Sequence, residues 1–380
     1  MRAATRWTSI ATVLADAPLA DMKRAVEGLA AAGLSQLIIS GGEPLLREDL
    51  PDIVEHAKRA CGIASVTVLS NGTRMTEEAL ERLAPNVDCV SVSFDGCSAA
   101  APAYIRSEQR FDELVEAVRM VQRAGIPAHI IPTVHAKNVD DLASYVQLSR
   151  DLGASLNFSL LTCEPDDEVL GGLLPGADEL RMLGRALLTL DNGKPLPAMD
   201  APVGVNLTVK RNCGAGCKSL SVDADGTIYP CHMLHRPELA MGNAFTGAVL
   251  DALQTDVSRT FQTLDAEKFE DCGACRYLRI CGGGCRARSL FESGNLESKD
   301  SYCLMTQEFY DVLGKSHVRI ATTKEVKECC SIAKWIRMQT VLFLALGASA
   351  LLLVFRMLSI IEKGLFLETG SFCYFDIRIP

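Results

Sequence analysis

Residues 37–44 of the chain are Leu37-Ile38-Ile39-Ser40-Gly41-Gly42-Glu43-Pro44, a short apolar run that ends in two glycines, a carboxylate and a proline. A continuous apolar run of this length predicts a strand buried on both faces, as the strands of parallel sheets are. The preceding residues, Leu19–Ala32, have the periodicity of an amphipathic helix, and Gly33 provides the helix stop. Helix, strand and glycine-rich turn in this order indicate one unit of an alternating α/β fold.

The same alternation continues to about residue 161. Further apolar runs predict strands at Val66–Leu69, Val90–Phe94, Ala128–Val134 and Leu156–Leu161. Amphipathic patterns predict helices at Asp52–Arg59, Phe111–Ala124, Asp140–Asp151 and, later in the chain, Ala177–Leu190. Strands that alternate with helices form parallel sheets with right-handed crossovers. The five predicted strands therefore indicate an α/β fold with the unit spacing of a TIM-like β/α barrel.

Polar side chains follow four of the predicted strands: Glu43, Asn71, Asp95 and Asn138. In β/α barrels the loops after the strands converge at one face, and that face carries the active site. Four polar residues on successive strands favour a site there, although asparagine and aspartate are also common turn residues. Four histidines have no partner at metal-ligand spacing and are interpreted as ordinary residues: His56, His129, His135 and His317.

Eight of the 15 cysteines lie between residues 213 and 303. They are Cys213, Cys217, Cys231, then Cys272, Cys275, Cys281 and Cys285 as Cys-x2-Cys-x5-Cys-x3-Cys, and finally Cys303. Thiolates are soft ligands, and two tetrathiolate sites would use all eight. Many cysteines without an export signal favour a reducing compartment and metal ligation over disulfides. A structural zinc site at Cys-x2-Cys and Cys-x3-Cys is the alternative.

The overall composition excludes one class of partner and identifies an unusual segment near the C-terminus. The 38 basic and 47 acidic residues give a net charge of −9, which argues against binding to nucleic acid. Residues 338–355 contain no charged side chain and form a candidate transmembrane helix. A buried helix, or foreign sequence joined by a frameshift or read-through after about Lys315, are the alternatives. We expect a cytoplasmic protein, or one anchored to the membrane by that helix.

Together these motifs resemble the radical S-adenosylmethionine (radical SAM) enzymes with a C-terminal SPASM domain. The resemblance covers about residues 13–310 and rests on Gly-Gly-Glu-Pro after a strand, on Cys213-x12-Gly226-x4-Cys231 and on the later cysteine series. It implies a partial (β/α)6 barrel over residues 1–165 that lacks its first strand. A connecting region at 166–212, an iron–sulfur SPASM domain at 213–312 and a tail at 313–380 would follow.

The resemblance also implies cofactors and their ligands. The cofactors are S-adenosylmethionine and two auxiliary [4Fe-4S] clusters. Gly41, Gly42 and Glu43 would receive the cofactor's amino group, beside Pro44. Ser93 matches the strand position that contacts the ribose, and weaker correspondences add Asn71 and Arg106 to the cofactor site. The first cluster would be bound by Cys213, Cys217, Cys231 and Cys285, and the second by Cys272, Cys275, Cys281 and Cys303.

Members of this family modify peptides or proteins through a 5′-deoxyadenosyl radical that abstracts hydrogen. The resemblance therefore implies a peptide or protein substrate and a reductant such as a ferredoxin or flavodoxin. His232 follows Cys231 at the position where the sulfatase-maturing branch has an acidic base, so it is the candidate catalytic residue. This change favours maturation of a ribosomally made peptide over sulfatase maturation. A non-catalytic electron carrier or peptide-binding protein is the other alternative.

One motif of the family is absent. The cluster that cleaves S-adenosylmethionine is bound by Cys-x3-Cys-x2-Cys after the first barrel strand, whereas the first cysteine here is Cys61. The sequence is therefore interpreted as N-terminally incomplete, or alternatively as a degenerate relative. We predict that these 380 residues alone do not cleave the cofactor. We also expect the strand at Leu37 to have an unpaired edge.

Overall fold

The computed structural model describes residues 17–106, 110–187, 213–315 and 374–379. Nine strands lie in these ranges and are numbered in chain order. They are β1 Gln36–Gly41, β2 Ser65–Ser70, β3 Cys89–Phe94, β4 Ala128–Val134, β5 Ser155–Leu156, β6 Ser159–Leu160, β7 Ser219–Val222, β8 Ile228–Tyr229 and β9 Tyr374–Ile379.

Twelve α-helices lie in the same ranges. They are α1 Leu19–Ala31, α2 Leu50–Glu55, α3 Glu77–Leu83, α4 Phe111–Arg123, α5 Leu142–Leu152, α6 Glu168–Gly171, α7 Ala177–Ala186, α8 Val249–Ala252, α9 Asp256–Thr263, α10 Leu278–Cys281, α11 Arg286–Ser293 and α12 Cys303–Lys315. Helix α3 was not predicted. It begins after Thr76, whose hydroxyl accepts a hydrogen bond from the amide of Ala79 at 3.2 Å.

The strands form one mostly parallel sheet in the order β5-β4-β3-β2-β1-β9-β7-β8. Strands β1 to β4 pair in parallel with their neighbours, for example Leu37 with Val66. The predicted strand at 156–161 is split into β5 and β6, both of which pair with β4. The only antiparallel pair among the described strands is β7 with β8. The predicted α/β architecture is therefore confirmed.

The expectation of an unpaired edge on β1 is wrong. Strand β9 lies parallel to β1 over its whole length, from Gln36 opposite Tyr374 to Gly41 opposite Ile379. On its other side β9 pairs in parallel with β7, with Ser219 opposite Tyr374. An open strand edge presents unpaired N–H and C=O groups, and β9 satisfies this edge. The last described strand of the chain thus joins the barrel strands to the cysteine-rich part.

The hydrophobic core is continuous across the two parts of the molecule. The largest buried cluster includes the barrel residues Leu37, Val68 and Val92, and it extends to Met305 and Phe309 of α12. Helix α7 packs against α12 at Gly184, where an added Cβ would collide with the carbonyl oxygen of Met305. Burial of apolar surface against both parts therefore holds the cysteine-rich part against the barrel.

None of the described helices is both long enough and apolar enough to cross a membrane. The candidate transmembrane helix at 338–355 lies outside the described residues, as do residues 188–190 at the end of the predicted helix Ala177–Leu190.

Candidate functional site

Glu43 stands at the carboxyl end of β1, and hydrogen bonds hold its carboxylate there. The Ser70 hydroxyl donates to Oε1 at 2.8 Å and the Asn71 amide donates to Oε2 at 2.8 Å. The amide of Leu45 also donates to Oε1, at 3.2 Å. Burial raises the pKa of Glu43, while these hydrogen bonds act in the opposite direction. The carboxylate is thus fixed at the ends of two neighbouring strands, beside the exposed Gly41 and Gly42.

Asn71, predicted as a cofactor-binding residue, has a clear local role. Its side-chain oxygen accepts hydrogen bonds from the amide and the hydroxyl of Thr73, at 2.9 and 2.7 Å. These bonds form an Asx-type turn, the role that asparagine commonly has in turns after strands. The contact of Asn71 with Glu43 is made by its backbone, so the side chain shapes the turn that presents this backbone amide.

Arg106 is brought next to Asp95 at the end of β3. One oxygen of Asp95, Oδ2, accepts hydrogen bonds from the amides of Ile105 and Arg106, at 2.6 and 2.5 Å. The other oxygen, Oδ1, and the Arg106 Nη1 are buried and have no hydrogen-bond partner among the described residues. Burial lowers the pKa of Arg106, and Asp95 opposes that shift. Ser93, the predicted ribose contact, is buried near the end of the same strand.

His135 was interpreted as an ordinary histidine, but the structure places it at this same site. Its ring is fully buried, and Nδ1 accepts a hydrogen bond from the Lys137 amide at 3.2 Å. A neutral ring with this bond carries its proton on Nε2, which has no partner in the part of the chain that the structure describes. Burial lowers the pKa of His135, and the charge of Asp95 opposes this shift. Asp95, Arg106 and His135 therefore lie together at the strand ends.

Asn138, the fourth predicted strand-end residue, has a structural role. Its side-chain oxygen accepts a hydrogen bond from the His135 amide at 2.8 Å, and its side-chain nitrogen donates to the Thr133 carbonyl oxygen at 2.9 Å. Asn138 therefore fixes the turn after β4. The signal for His135 was its position directly after β4, equivalent to that of Asn71 after β2 and Asp95 after β3.

Three thiols of the first predicted ligand set come together. Cys231 interacts electrostatically with Cys213 and with Cys285. Cys217 lies in the turn between Gly214 and β7, where its thiol donates to the Gly214 carbonyl oxygen at 3.5 Å. The amide of Gly216 donates to the Pro230 carbonyl oxygen at 2.9 Å, which ties this turn to the segment that carries Cys231. A hairpin turn at Gly226, with φ +85°, joins β7 to β8.

The four thiols of the second predicted set also come together. Cys303 interacts electrostatically with Cys272, Cys275 and Cys281. Burial raises the pKa of Cys281 to about 11 and that of Cys303 to about 12. Helix α10 ends at Cys281, and positive φ values at Gly282, Gly283 and Gly284 carry the chain away from it. Cys281 and Cys285 therefore do not share a helix face, and the glycine turn directs them to different groups.

The zinc alternative can be compared with the positions of the thiols. Among the described residues, no three cysteine, histidine or acidic side chains lie close enough together to hold one metal ion. A [4Fe-4S] cage takes its thiolates on different iron atoms, so its ligands stand farther apart than those of one ion. The zinc alternative needs Cys285 beside Cys272, Cys275 and Cys281, and Cys285 interacts electrostatically with Cys231 of the first predicted set. Cluster ligation itself remains a prediction.

His232, the candidate catalytic residue, lies beside the first thiol group. Its Nδ1 is 3.6 Å from the Cys231 sulfur. The imidazole is partly buried.

An ion pair that the sequence did not indicate lies between the two thiol groups. Arg288 and Asp300 are both buried and are joined by two hydrogen bonds of 2.7 Å. The Asp300 carboxylate accepts a hydrogen bond from the Cys285 amide at 2.7 Å. The backbone carbonyl oxygen of Asp300 accepts one from the Cys303 amide at 2.9 Å. Asp300 thus contacts one ligand candidate of each group. The only sign of this ion pair in the sequence is its distance from the cysteines. Arg288 comes three residues after Cys285, and Asp300 comes three residues before Cys303.

Comparisons with known proteins agree with this arrangement. The family model "Radical SAM superfamily" matches residues 14–148, and "Iron-sulfur cluster-binding domain", SPASM, matches residues 213–276. The mycofactocin maturase MftC of Mycolicibacterium smegmatis is 30% identical over 282 residues, 70% of this chain and 69% of MftC. The AdoMet-dependent heme synthase of Methanosarcina barkeri is 29% identical over 311 residues, which are 75% of this chain and 86% of the synthase.

A solved structure has the same fold. Native anSMEcpe with bound AdoMet and Kp18Cys peptide superposes with a TM-score of 0.61 at 16% identity, covering 76% of this chain and 86% of that one.

Proposed function

The chain belongs to the radical SAM superfamily and carries a SPASM iron–sulfur domain, and from this premise we propose that it modifies a ribosomally made peptide. The predicted cofactors, S-adenosylmethionine and [4Fe-4S] clusters, are those of the matched families and are confirmed at that level. The peptide substrate is supported by a relative that is a maturase and by a similar fold solved with a bound peptide. One observation carries the proposal: the chain combines two features. The strand ends of the barrel hold buried polar groups, and the cysteine-rich part holds two groups of thiols.

In this proposal the barrel strand ends bind S-adenosylmethionine, which supplies a hydrogen-abstracting radical when it is bound at a reducing cluster. Glu43 would hold the ammonium group, because its carboxylate is fixed by Ser70 and Asn71 and stands beside Gly41 and Gly42. Ser93 and Arg106 would contact the rest of the cofactor, with Arg106 available to an anionic group through its unpartnered Nη1.

The cysteine-rich part would bind two auxiliary clusters through the crossed ligand sets. Cys213, Cys217, Cys231 and Cys285 would hold the first, and Cys272, Cys275, Cys281 and Cys303 the second. In their unliganded form the thiols of Cys281, Cys285 and Cys303 are held protonated by burial, so cluster binding releases protons. The clusters would accept the electron that the modified peptide loses, and a ferredoxin or flavodoxin would serve as reductant. His232 would take up a proton beside the first cluster.

We further propose the domain limits 1–165, 166–212, 213–312 and 313–380 for the barrel, connecting region, SPASM domain and tail. These 380 residues contain no Cys-x3-Cys-x2-Cys motif. We therefore infer that they do not carry out the reductive cleavage of S-adenosylmethionine by themselves. Formation of 5′-deoxyadenosine above background in an anaerobic dithionite assay would contradict this inference.

Anaerobic reconstitution of the purified chain tests the cluster assignment. We expect iron and acid-labile sulfide for two clusters, with Cys231→Ala and Cys272→Ala each removing one cluster and leaving the other. Zinc without sulfide would contradict the proposal.

Binding experiments test the cofactor and substrate assignments. Replacing Glu43 with Gln is expected to weaken S-adenosylmethionine binding by about 10- to 100-fold, because a charge-assisted hydrogen bond is lost. Peptides encoded beside the gene for this chain are the first candidates for substrate binding. A chain that binds none of them and exchanges electrons with a ferredoxin would favour the electron-carrier alternative.

A further inference from the structure

We propose that Arg286 is a counter-charge shared by the two auxiliary clusters, a buried cation whose charge is balanced when the anionic clusters bind. This inference rests on the proposed function, since it needs both clusters. Arg286 is the first residue of α11 and directly follows Cys285. It is not a ligand, and it acts on the clusters through its charge.

The protein encloses the Arg286 side chain. It is 1% exposed, and it belongs to the largest fully buried side chains of the described residues. The guanidinium carbon lies 4.9 Å from the ring centre of Phe269, so an aromatic face covers it. Arginine is not deprotonated in proteins. This position therefore holds a permanent positive charge away from water.

The hydrogen-bond partners of this guanidinium are all neutral. Nη1 donates to the carbonyl oxygens of Leu296 and Ser298, at 2.5 and 2.9 Å, and Nη2 donates to that of Gly283. Nε is buried and has no hydrogen-bond partner among the described residues. Within the same ranges of the chain Arg286 forms no ion pair with a carboxylate.

Arg288, two residues later, differs from Arg286 in this respect. It is also buried, but two hydrogen bonds of 2.7 Å join it to the carboxylate of Asp300. The charge of Asp300 is therefore already balanced. Carbonyl oxygens satisfy the N–H groups of Arg286 but bring no net charge, and an unbalanced charge in a protein interior is costly. A buried cation with a free Nε fits a site that takes up an anionic group.

Arg286 lies where the two predicted ligand sets meet. Its backbone follows Cys285 of the first set, and its bond to Gly283 fastens the side chain to the glycine turn before that cysteine. On the other side of the guanidinium, the carbonyl oxygen of Phe269 accepts a hydrogen bond from the amide of Cys272 at 3.1 Å. Phe269 thus begins the turn that carries a ligand candidate of the second set.

The chemistry of the predicted clusters fits a cation at this position. An iron–sulfur cage held by four thiolates carries a net negative charge, and net charge is one of the factors that set its reduction potential. Reduction adds a further electron, which a fixed positive charge nearby favours. Arg286 also interacts electrostatically with one thiol of each set, Cys213 and Cys272, in agreement with its position. Arg286 therefore raises the reduction potential of both clusters.

The test separates the charge of Arg286 from its hydrogen bonds. Arg286→Gln removes the charge and keeps an amide that can donate to a carbonyl oxygen, whereas Arg286→Lys keeps the charge and loses the planar fork. Each reconstituted chain is titrated with mediators and followed by electron paramagnetic resonance. Each cluster is measured alone in the Cys272→Ala or the Cys231→Ala background.

We expect both potentials to fall in Arg286→Gln and to stay near their original values in Arg286→Lys. A unit charge at about 10 Å and an effective dielectric of about 20 changes an equilibrium by roughly tenfold, which is about 59 mV for one electron. The matched control is Arg279→Gln, which removes an exposed charge two residues before Cys281 and should leave both potentials unchanged. Unchanged potentials in Arg286→Gln, a fall confined to one cluster, or equal falls in the Gln and Lys variants would overturn the proposal.

Iron and sulfide content covers the case in which Arg286→Gln does not assemble clusters. Two clusters in Arg286→Lys and none in Arg286→Gln, with the far-ultraviolet circular dichroism of both retained, would support the counter-charge. If both variants lack clusters while their circular dichroism is retained, the fork to the carbonyl oxygens is what matters and the inference fails. If the unaltered chain itself binds no iron and sulfide, the proposed function fails, a result distinct from the others.

Discussion

Glu43 is a buried acid, and its contribution to the free energy of unfolding depends on pH. Because burial raises its pKa, the folded chain holds the carboxyl proton more tightly than the unfolded chain does. The stability from this protonation is fully present below the pKa of the unfolded carboxyl, about 4.3, and is lost as the pH rises through the raised value. We therefore expect Glu43→Gln to gain stability relative to the unaltered chain as the pH rises above the pKa of the unfolded carboxyl.

Urea unfolding of both chains at several pH values measures this difference. Glu78→Gln, at an exposed position of α3, is the control for the substitution itself. A free-energy difference for Glu43→Gln that stays constant across the pH range would contradict the argument.

Gly284 provides a second prediction at the scale of one residue. A side chain there would adopt φ +82° and would also collide with Asp300, whereas Gly294 has φ +70° and open space around it. Gly294→Ala should cost about 1–2 kcal/mol of unfolding free energy from backbone strain alone. Gly284→Ala should cost about 1–3 kcal/mol more and should lower the iron content of the reconstituted chain. Equal losses in the two variants would show that Asp300 does not constrain the glycine.

At this scale the sequence predicted the residues that belong to motifs and missed those that depend on tertiary contacts. The cysteine series was visible in the sequence because its spacing is local, and the assignment of its thiols to two crossed ligand sets stays a prediction from the family resemblance. His135 and the Arg288–Asp300 pair were missed. A histidine after a strand and an arginine after a cysteine are common in sequences, and only their burial in the folded chain distinguishes them.

Among the elements, the strands were predictable and one strand pairing was not. Continuous apolar runs identify β1 to β4 because both faces of a parallel sheet are buried. Helix α3 was not predicted because only two of its seven residues, Leu80 and Leu83, are buried, which gives too short an apolar pattern. Strand β9 was missed because its partners, β1 and β7, are distant in sequence, and no local pattern identifies a non-local pairing.

Removal of residues 374–380 tests the role of β9. Without this strand the edges of β1 and β7 lose their partner, so the backbone amides of Gln36–Gly41 should exchange hydrogen faster. The exposed edges should also promote aggregation, which light scattering would detect. Strand β3 is the internal control, because β2 and β4 pair with it on both sides. Unchanged exchange at Gln36–Gly41 would contradict the pairing.

On the scale of the whole molecule, the cysteine-rich part is held against the barrel by apolar packing and by specific polar contacts. The Tyr302 hydroxyl donates to the Leu161 carbonyl oxygen at 2.7 Å, within the buried region between the two parts. Tyr302→Phe should lower the free energy of unfolding by about 1–2 kcal/mol, since it leaves that carbonyl without its partner. The exposed Tyr104 gives a matched control as Tyr104→Phe, which should change stability little in the same urea measurement. A Tyr302→Phe loss no larger than the control would contradict this role.

The position of β9 also has a consequence for how the molecule is made. A ribosome completes Gly41 about 330 residues before it reaches Tyr374, and at about 5–20 residues per second that interval lasts roughly 17 to 67 seconds. Throughout this time β1 lacks the partner that β9 provides on one side of it in the finished sheet. Closure of this part of the sheet therefore waits until residues Tyr374–Ile379 have been translated.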